Sequence, residues 1–156
     1  MMRIGQGYDA HPWANDDRPL VIGGVHFPGH PGLDGHSDAD VVAHAVIDAV
    51  LGAAGLGDIG QNFPDDNRKF DRVSSIELLE QAVQLVQAAG WRIVNADCTV
   101  ITDKPQIAPV KDEMEANLSG AAGGPVTVCG KRTEGIGALG RGEGIVAIAV
   151  ALLEQR

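Results

Sequence analysis

Two short segments of the sequence carry side chains that commonly bind metal ions. The first contains Asp9 and His11, and the second, residues 36–44, contains His44. Residues two apart on an extended strand point to the same face, and His44 would project from a helix packed beside that strand. One carboxylate and two imidazoles leave the fourth position of a tetrahedral ion open to substrate or water. The spacing therefore predicts a catalytic metal site.

The competing interpretation is that these are ordinary polar residues. An Asp-x-His triplet often arises by chance, and a histidine on a helix is more often a satisfied polar group than a ligand. The context favours a metal site, because Asp40, His44 and Asp48 recur every four residues and would share one face of the predicted helix. A face that met only solvent would more commonly carry Lys and Glu.

Charged residues elsewhere offer the groups that a phosphorylated ligand requires. Acidic residues occur at Asp58 and Asp65, and basic residues at Lys131, Arg132 and Arg141. Carboxylates hold divalent ions and fixed cations bind phosphate oxygens, as phosphoryl transfer requires. The alternatives are that the two Asp residues form turns by bonding their own backbone and that Lys131 and Arg132 lie on a solvated strand edge.

Composition limits the class of protein. The 156 residues are 44% hydrophobic and 21% charged, which predicts one domain over residues 1–156. A net charge of -9 argues against nucleic acid or an anionic membrane as the main partner. The first residues show no signal-peptide pattern, so a cytoplasmic location is the default expectation, with a plastid-type compartment as the alternative for the mature form of a plastid protein. Cys98 and Cys129 are expected to be reduced, core-type thiols on strands.

The hydrophobic pattern predicts alternating strands and helices, with the helices on one face of a sheet. Strands are predicted at residues 3–11, 91–101, 126–130 and 144–154, the last with a buried helix as the alternative, and a hairpin at 20–28 turning at Gly23-Gly24. Helices are predicted at 37–54 with Ser37 as N-cap, at 74–90 with a capping box from Ser74 to Glu77, and at 110–119. Long loops are predicted at 57–71 and 135–142.

Taken together, these segments resemble the 2-C-methyl-D-erythritol 2,4-cyclodiphosphate synthase family. The matches are collinear and span nearly the whole chain, at residues 3–11, 22–25, 35–41, 44–49, 57–60, 63–65, 133–135 and 140–144. The resemblance implies an α/β fold of the α+β type, with a four-stranded mixed sheet, helices on one face and a small N-terminal hairpin. It also implies a homotrimer around a three-fold axis, with active sites between subunits.

The same resemblance implies a reaction and its cofactors. In it, the 2-phosphate of 4-diphosphocytidyl-2-C-methyl-D-erythritol 2-phosphate attacks the β-phosphorus, which closes a cyclic diphosphate and releases CMP in non-mevalonate isoprenoid synthesis. Such an enzyme is a phosphorus-oxygen lyase. Asp9, His11 and His44 would hold Zn²⁺, and Glu134 would bind Mg²⁺ or Mn²⁺ bridging the substrate diphosphate.

The remaining site residues are carried over from the family pattern in the same way. His36 would stabilise the transition state, and Asp48 is counted among the catalytic residues. Asp58 and Asp65 would hold the hydroxyls of the methylerythritol, and residues 102–108 would form the cytidine pocket. The substrate-binding residues so implied are Ser37, Asp58, Ile59, Gly60, Phe63, Asp65, Thr102, Pro105, Ile107, Ala108, Thr133 and Arg141.

The chain departs from the family pattern at several positions. Lys131 and Arg132 stand where Thr residues are usual, one of which has a transition-state role. Either Arg132 acts instead as a cationic catalytic clamp on phosphate, or the local strand is rearranged and the rate is reduced. Gln106 replaces a usual Lys in the cytidine segment. Ala138 replaces a usual bulky apolar residue near the trimer axis. The change at Ala138 puts the binding of isoprenoid diphosphates at that axis in question, although Arg141 remains.

Two other functions stay open at this point. One is a catalytically weakened zinc trimer that binds nucleotide or isoprenoid diphosphates. The other is a metal phosphohydrolase in which water attacks the phosphate, but Asp58 and Asp65 would serve a polyol substrate rather than water.

Overall fold

A four-stranded mixed sheet forms one layer of the molecule. The computed structural model describes residues 1–156. The strands of this sheet are β1 (Met2–Pro12), β4 (Trp91–Ile101), β5 (Val126–Lys131) and β6 (Gly144–Gln155). Their order is β1-β6-β4-β5, with β4 and β5 parallel and the other pairs antiparallel. A separate hairpin joins β2 (Val21–Ile22) to β3 (Val25–His26). The predicted mixed sheet and hairpin are confirmed.

Helices cover one face of the sheet. The long helices α1 (Val41–Ala54), α3 (Ser75–Ala88) and α4 (Lys111–Ala122) pack against its strands. The short helices α2 (Ile59–Asn62) and α5 (Gly137–Gly140) and single turns of 3₁₀ helix at Arg68–Phe70 and Ala108–Val110 lie in the connections. The helices α2 and α5 lie in the two segments that were predicted to be loops. The buried apolar side chains form one continuous cluster between the helices and the sheet. No helix combines the length and the hydropathy that crossing a membrane requires.

The helix α1 packs against β1 with almost no side chain between the two backbones. A Cβ atom added at Gly5 would lie 2.0 Å from the carbonyl oxygen of Ala49, and one at Gly7 would lie 1.8 Å from that of Ala45. Only glycine permits this approach. The remaining residues of α1 are mostly Ala and Val, and nearly all of them are buried. The close approach places the side chains of α1 beside those that follow along β1.

The start of α1 differs from the prediction. The N-cap is Asp40 rather than Ser37, and the helix begins at Val41. The backbone of Ser37 has a φ of 56°, which is left-handed and incompatible with a helix start. Of the three residues predicted to line one helix face, His44 and Asp48 lie within α1 and Asp40 lies at its cap. Ser and Asp are both good N-cap residues. Asp40 is the N-cap here, and its side chain also bonds the hairpin turn.

Asp40 ties the start of α1 to the small hairpin. Its fully buried carboxylate accepts the backbone N–H groups of Val42 and Ala43 in α1, at 3.2 and 3.1 Å. It also accepts those of Gly23 and Gly24 in the predicted hairpin turn, at 2.8 and 2.7 Å. One side chain thus satisfies four buried donors from two elements.

The predicted capping box at the start of α3 is wrong. Ser74 is the N-cap residue, but its side chain makes no capping hydrogen bond. The carboxylate of Asp38 instead accepts the N–H of Ser75 at 3.1 Å. A side chain from a distant segment has displaced the local cap.

Two further predictions have mixed outcomes. Residues 144–154 form a strand, so the alternative of a buried helix is excluded. Cys98 is buried, as expected, but Cys129 is exposed, because its side chain lies on the face of β5 that no helix covers. Both residues are free thiols on strands.

Replacing Asp40 by Asn should destabilise the fold. The variant keeps the size of the side chain but turns one acceptor oxygen into a donor, which then faces backbone N–H groups. We expect Asp40→Asn to lower the free energy of unfolding by about 2–3 kcal/mol, since buried donors lose their acceptor. Urea unfolding followed by circular dichroism measures the change. The control Asp66→Asn lies in an exposed loop and should stay within about 0.5 kcal/mol of the parent. Equal stabilities of the two variants would contradict the role given to Asp40.

Candidate active site

Three side chains converge as the sequence predicts. Asp9 and His11 project from the helix-facing side of β1, and His44 projects from the first turn of α1. His11 Nε2 lies 2.8 Å and His44 Nδ1 lies 3.1 Å from Asp9 Oδ2, and the two nitrogens are 3.3 Å apart. These three residues form a group that could hold a metal ion.

The hydrogen bonds of His11 show that this group suits a cation. His11 Nδ1 lies 2.9 Å from the carbonyl oxygen of Asp34, which can only accept. Nδ1 must therefore carry the proton, so in a neutral ring Nε2 presents a lone pair towards the Asp9 carboxylate. Two acceptors at 2.8 Å repel each other unless a proton or a metal ion lies between them. Because His44 Nδ1 faces the same point, a metal ion with three protein ligands fits the donor set.

The pKa values of these groups reflect the same close packing. Burial alone would raise the pKa of Asp9, but the hydrogen bonds to His11 and His44 and their positive charge lower it to about 2. Burial alone would lower the pKa of His11, and the interaction with Asp9 reverses this, so that the pKa is raised. The Asp9 carboxylate therefore stays ionised at neutral pH, as a metal ligand must.

The loop that carries Asp34 is held by residues that the sequence analysis missed. Arg18 Nη1 donates to the carbonyl oxygens of Leu33 and Gly35, at 3.4 and 3.0 Å. The His11 ring lies against Gly35, where a Cβ atom would come within 2.6 Å of the ring. Arg18 and Gly35 thus keep the Asp34 carbonyl where it sets the tautomer of His11. Because Arg18 lies in a polar stretch without periodicity, no sequence signal marked it.

A cavity of about 460 Å³ opens in front of the metal group. Its lining unites most of the predicted residues from the N-terminal half of the chain, namely Asp9, His11, His36, Ser37, His44, Ile59, Gly60, Phe63 and Asp65. The lining also includes Phe70, which packs edge to face on Phe63 at 5.4 Å between ring centroids. Aromatic walls with convergent polar groups are typical of a small-molecule site.

Two predicted acidic residues support this cavity without lining it. Asp48 Oδ1 accepts the backbone N–H of Ile59 at 2.8 Å, and Asp58 Oδ1 accepts that of Gln61 at 2.8 Å. Together they accept two of the backbone N–H groups at the start of α2. Burial and then the nearby charge of Asp58 raise the pKa of Asp48. The structure thus places Asp48 behind the cavity wall, where it positions Ile59 and Gly60.

The segments predicted to bind cytidine line a second cavity of about 450 Å³. This cavity is formed by Thr102, Asp103, Pro105, Gln106, Ile107, Ala108, Lys111, Val128, Cys129, Gly130, Lys131 and Arg132. It shares no lining residue with the metal cavity. Within one chain, the predicted metal and cytidine sites are therefore separate.

The Thr133-Glu134 turn adjoins this second cavity and is held by Asp103. Asp103 accepts the Thr133 N–H at 2.9 Å and the Thr133 hydroxyl at 2.7 Å, and these bonds lower its pKa. Glu134 is exposed and has a left-handed φ of 55°, a strained conformation that is frequent at functional sites. Sequence reasoning missed Asp103, because its partner lies 30 residues away.

Arg141 lies apart from both cavities. Its Nε donates to Glu143 Oε2 at 2.8 Å, and both side chains are exposed. The pair leaves most of the guanidinium free.

The comparisons with known proteins agree over almost the full chain. A family model described as the YgbB family matches residues 2–154. The 2-C-methyl-D-erythritol 2,4-cyclodiphosphate synthase of Chromobacterium violaceum is 52% identical over 158 residues, covering 99% of each chain.

Solved structures agree as well. The bifunctional IspDF of Campylobacter jejuni superposes with a TM-score of 0.94 at 36% identity, covering 100% of this chain. This chain spans 43% of the length of that bifunctional protein. The IspF of Plasmodium falciparum in a CDP complex superposes with a TM-score of 0.84 at 31% identity, covering 99% of this chain and 97% of the other.

Replacing His44 should abolish metal binding. We expect the parent protein to bind one Zn²⁺ per chain in equilibrium dialysis with elemental analysis, and His44→Ala to lose at least 100-fold in affinity, because one of three ligands is gone. The control is His26→Ala, which removes an exposed histidine outside the metal group. Undiminished Zn²⁺ binding by His44→Ala would place the metal elsewhere.

Proposed function

The chain belongs to the 2-C-methyl-D-erythritol 2,4-cyclodiphosphate synthase family, and on that premise we propose that it converts 4-diphosphocytidyl-2-C-methyl-D-erythritol 2-phosphate to the cyclic 2,4-diphosphate and CMP. The observation that carries this proposal is the convergence of Asp9, His11 and His44 on one cavity, in a chain 52% identical to a named synthase. The enzyme is accordingly a phosphorus-oxygen lyase of isoprenoid synthesis.

In this proposal each half of the site holds one part of the substrate. Zn²⁺ held by Asp9, His11 and His44, with Mg²⁺ or Mn²⁺ on Glu134, would neutralise the diphosphate and make its phosphorus more electrophilic. Thr102, Pro105, Ile107, Ala108 and Thr133 would hold the cytidine end. An oxygen of the 2-phosphate would form a bond to the β-phosphorus, the bond between that phosphorus and the bridging oxygen would break, and the bridging oxygen would leave as part of CMP.

Residues around the metal cavity would orient the attacking phosphate. The His36 side chain is 40% exposed at the cavity rim, with Nδ1 3.6 Å from Asp71 Oδ1, so it can donate a hydrogen bond to a phosphate oxygen. Asp65 and the free oxygen of Asp58 would accept hydrogen bonds from the polyol hydroxyls. The attacking phosphate and the phosphorus belong to one substrate molecule, so these contacts would hold that molecule in the folded conformation in which the two groups meet and are aligned.

Assembly is required to bring the two halves together. The uncovered sheet face exposes apolar side chains of β1, including Ile4 at 76% and Tyr8 at 60%, beside Val150 of β6. A contiguous apolar surface of this kind marks a protein interface. We infer a homotrimer that buries these faces around its axis and sets the metal cavity of one subunit against the 102–108 segment of the next.

A charge placed on this sheet face should dissociate the trimer. We expect Ile4→Arg to sediment as a monomer and to lose most turnover while retaining Zn²⁺, because the metal ligands lie on the opposite face of β1. The control Leu85→Arg changes an apolar residue that is 43% exposed on α3. Analytical ultracentrifugation measures both. A trimeric Ile4→Arg variant would exclude this face as the interface.

Arg132 is proposed as the cationic clamp that replaces the usual threonine. The strand β5 keeps regular pairing up to Lys131, and the carbonyl of Lys131 accepts the N–H of Thr102 at 2.9 Å. This regular geometry favours the clamp over the alternative of a rearranged strand. Arg132 lines the second cavity with its charge available, since its side chain forms no ion pair.

Phosphorus NMR tests both the reaction and the clamp. With substrate, Zn²⁺ and Mg²⁺, the parent protein should produce CMP and a cyclic diphosphate. Arg132→Ala should lower kcat by about 100-fold, as loss of one transition-state cation does. Arg132→Thr, which installs the usual family residue, should recover most of the rate, and the control Arg92→Ala should match the parent.

Each other outcome points to a different function. Substrate that binds but remains unchanged would indicate a weakened diphosphate-binding protein. Release of inorganic phosphate would indicate a phosphohydrolase. Unchanged turnover by Arg132→Ala would remove Arg132 from the catalytic residues.

A further inference from the structure

We propose that Ser75 and Asp38 are positioning residues of the metal centre, acting through His44. A line of hydrogen bonds runs from the Asp38 carboxylate through the Ser75 hydroxyl to the ring nitrogen of His44 that faces away from the metal group. The inference rests on the metal centre of the proposed function. It adds two residues that contact the metal-binding side chain of His44 and do not contact the metal ion themselves.

The direction of each hydrogen bond in this line follows from its chemistry. The Ser75 hydroxyl contacts Asp38 Oδ1, and an ionised carboxylate can only accept, so Ser75 donates its proton there. The oxygen of Ser75 is then an acceptor for His44 Nε2, which lies 2.9 Å away. Nε2 must therefore carry the ring proton, which leaves the lone pair of a neutral ring on Nδ1, the atom that faces Asp9 and His11.

Ser37 completes the arrangement from the other side. Its hydroxyl oxygen lies 3.0 Å from His44 Nε2 and 3.1 Å from Ser75 Oγ. The Ser37 proton can be donated to Ser75 Oγ, while Nε2–H is shared between the two serine oxygens. The φ of 56° at Ser37 and of 54° at Ala39 shows that the backbone adopts left-handed positions to bring Ser37 and Asp38 here.

Burial makes these hydrogen bonds effective. Ser75 is fully buried, and Ser37 and His44 are only 9% and 6% exposed, so water is a poor substitute for any of the three partners. In such an environment a hydroxyl bonded to a carboxylate becomes a stronger acceptor, which increases the electron density on the imidazole. A more basic Nδ1 in a fixed orientation binds a metal ion more tightly.

The same contacts anchor the start of α3. Asp38 Oδ2 accepts the N–H of Ser75, so one carboxylate both caps the helix and orients the histidine through the hydroxyl. A purely structural interpretation is that the contacts only cap α3. The two interpretations differ in the effect of removing the Ser75 hydroxyl alone, because Ser75→Ala retains the backbone N–H that the cap uses.

Measuring the affinity for Zn²⁺ distinguishes a role in orienting His44 from a purely structural role as the cap of α3. We expect Ser75→Ala to weaken Zn²⁺ binding by about 10–100-fold in competition with a chromophoric chelator. We also expect the visible absorption spectrum of the Co²⁺-loaded protein to change, because the His44 ring is no longer fixed. Ser75→Thr keeps the hydroxyl and should bind Zn²⁺ within about 3-fold of the parent. The matched control is Ser74→Ala, since the neighbouring hydroxyl makes no capping bond.

A second variant covers the case in which Ser75→Ala does not fold. Asp38→Asn keeps an acceptor for the Ser75 hydroxyl but removes the charge, and it should weaken Zn²⁺ binding by several-fold. Melting temperatures of the metal-free proteins identify any loss of folding.

The outcomes distinguish this inference from the proposed function. If the parent binds Zn²⁺ and the folded Ser75→Ala variant binds it equally with an unchanged Co²⁺ spectrum, the relay is overturned and the metal centre stands. If the parent binds no Zn²⁺, the metal centre and the relay are both overturned. Weaker binding by Ser75→Ala, with Ser74→Ala unaffected, supports the relay.

Discussion

The direct backbone contact between α1 and β1 is the constraint on which the candidate site depends. The metal group takes Asp9 and His11 from the strand and His44 from the helix, so the distance between the two elements decides whether the three atoms can converge. Gly5 and Gly7 remove the side chains that would otherwise hold the helix away. They lie on the same face of β1 as Asp9 and His11, because alternate residues of a strand share a face. The sequence Gly-x-Gly-x-Asp-x-His thus prepares both the contact and the site.

The segment from Ser37 to Asp40 is the second point at which fold and chemistry meet. Within four residues, Ser37 contacts His44, Asp38 holds α3, and Asp40 holds both α1 and the hairpin. Two of these residues have left-handed backbones that cost free energy, roughly 1–3 kcal/mol each. The hydrogen bonds made by the three polar side chains offset that cost. Backbone strain is thus concentrated in a four-residue segment whose side chains bond α1, α3 and the hairpin.

The sequence was sufficient for features that depend on local periodicity. Strand alternation and helical spacing predicted the main elements, and the two-residue spacing of Asp9 and His11 predicted a shared face. Features that depend on partners distant in the sequence were missed. Asp38 displaced the local cap of α3 from 37 residues away, and Asp103 holds Thr133 from 30 residues away. No local propensity distinguishes such residues from ordinary turn formers, because their role exists only after the chain has folded.

The strand β1 serves the metal group with one face and the proposed subunit interface with the other. A one-residue change in register turns every side chain of a strand to the opposite face. A single insertion or deletion ahead of Asp9 within this strand would therefore exchange metal ligands and interface residues at once. Selection for metal binding and selection for subunit assembly therefore both act against a change in the length of β1. Over evolutionary time, variation in this strand should accumulate through substitutions, with changes of length displaced to the loops around it.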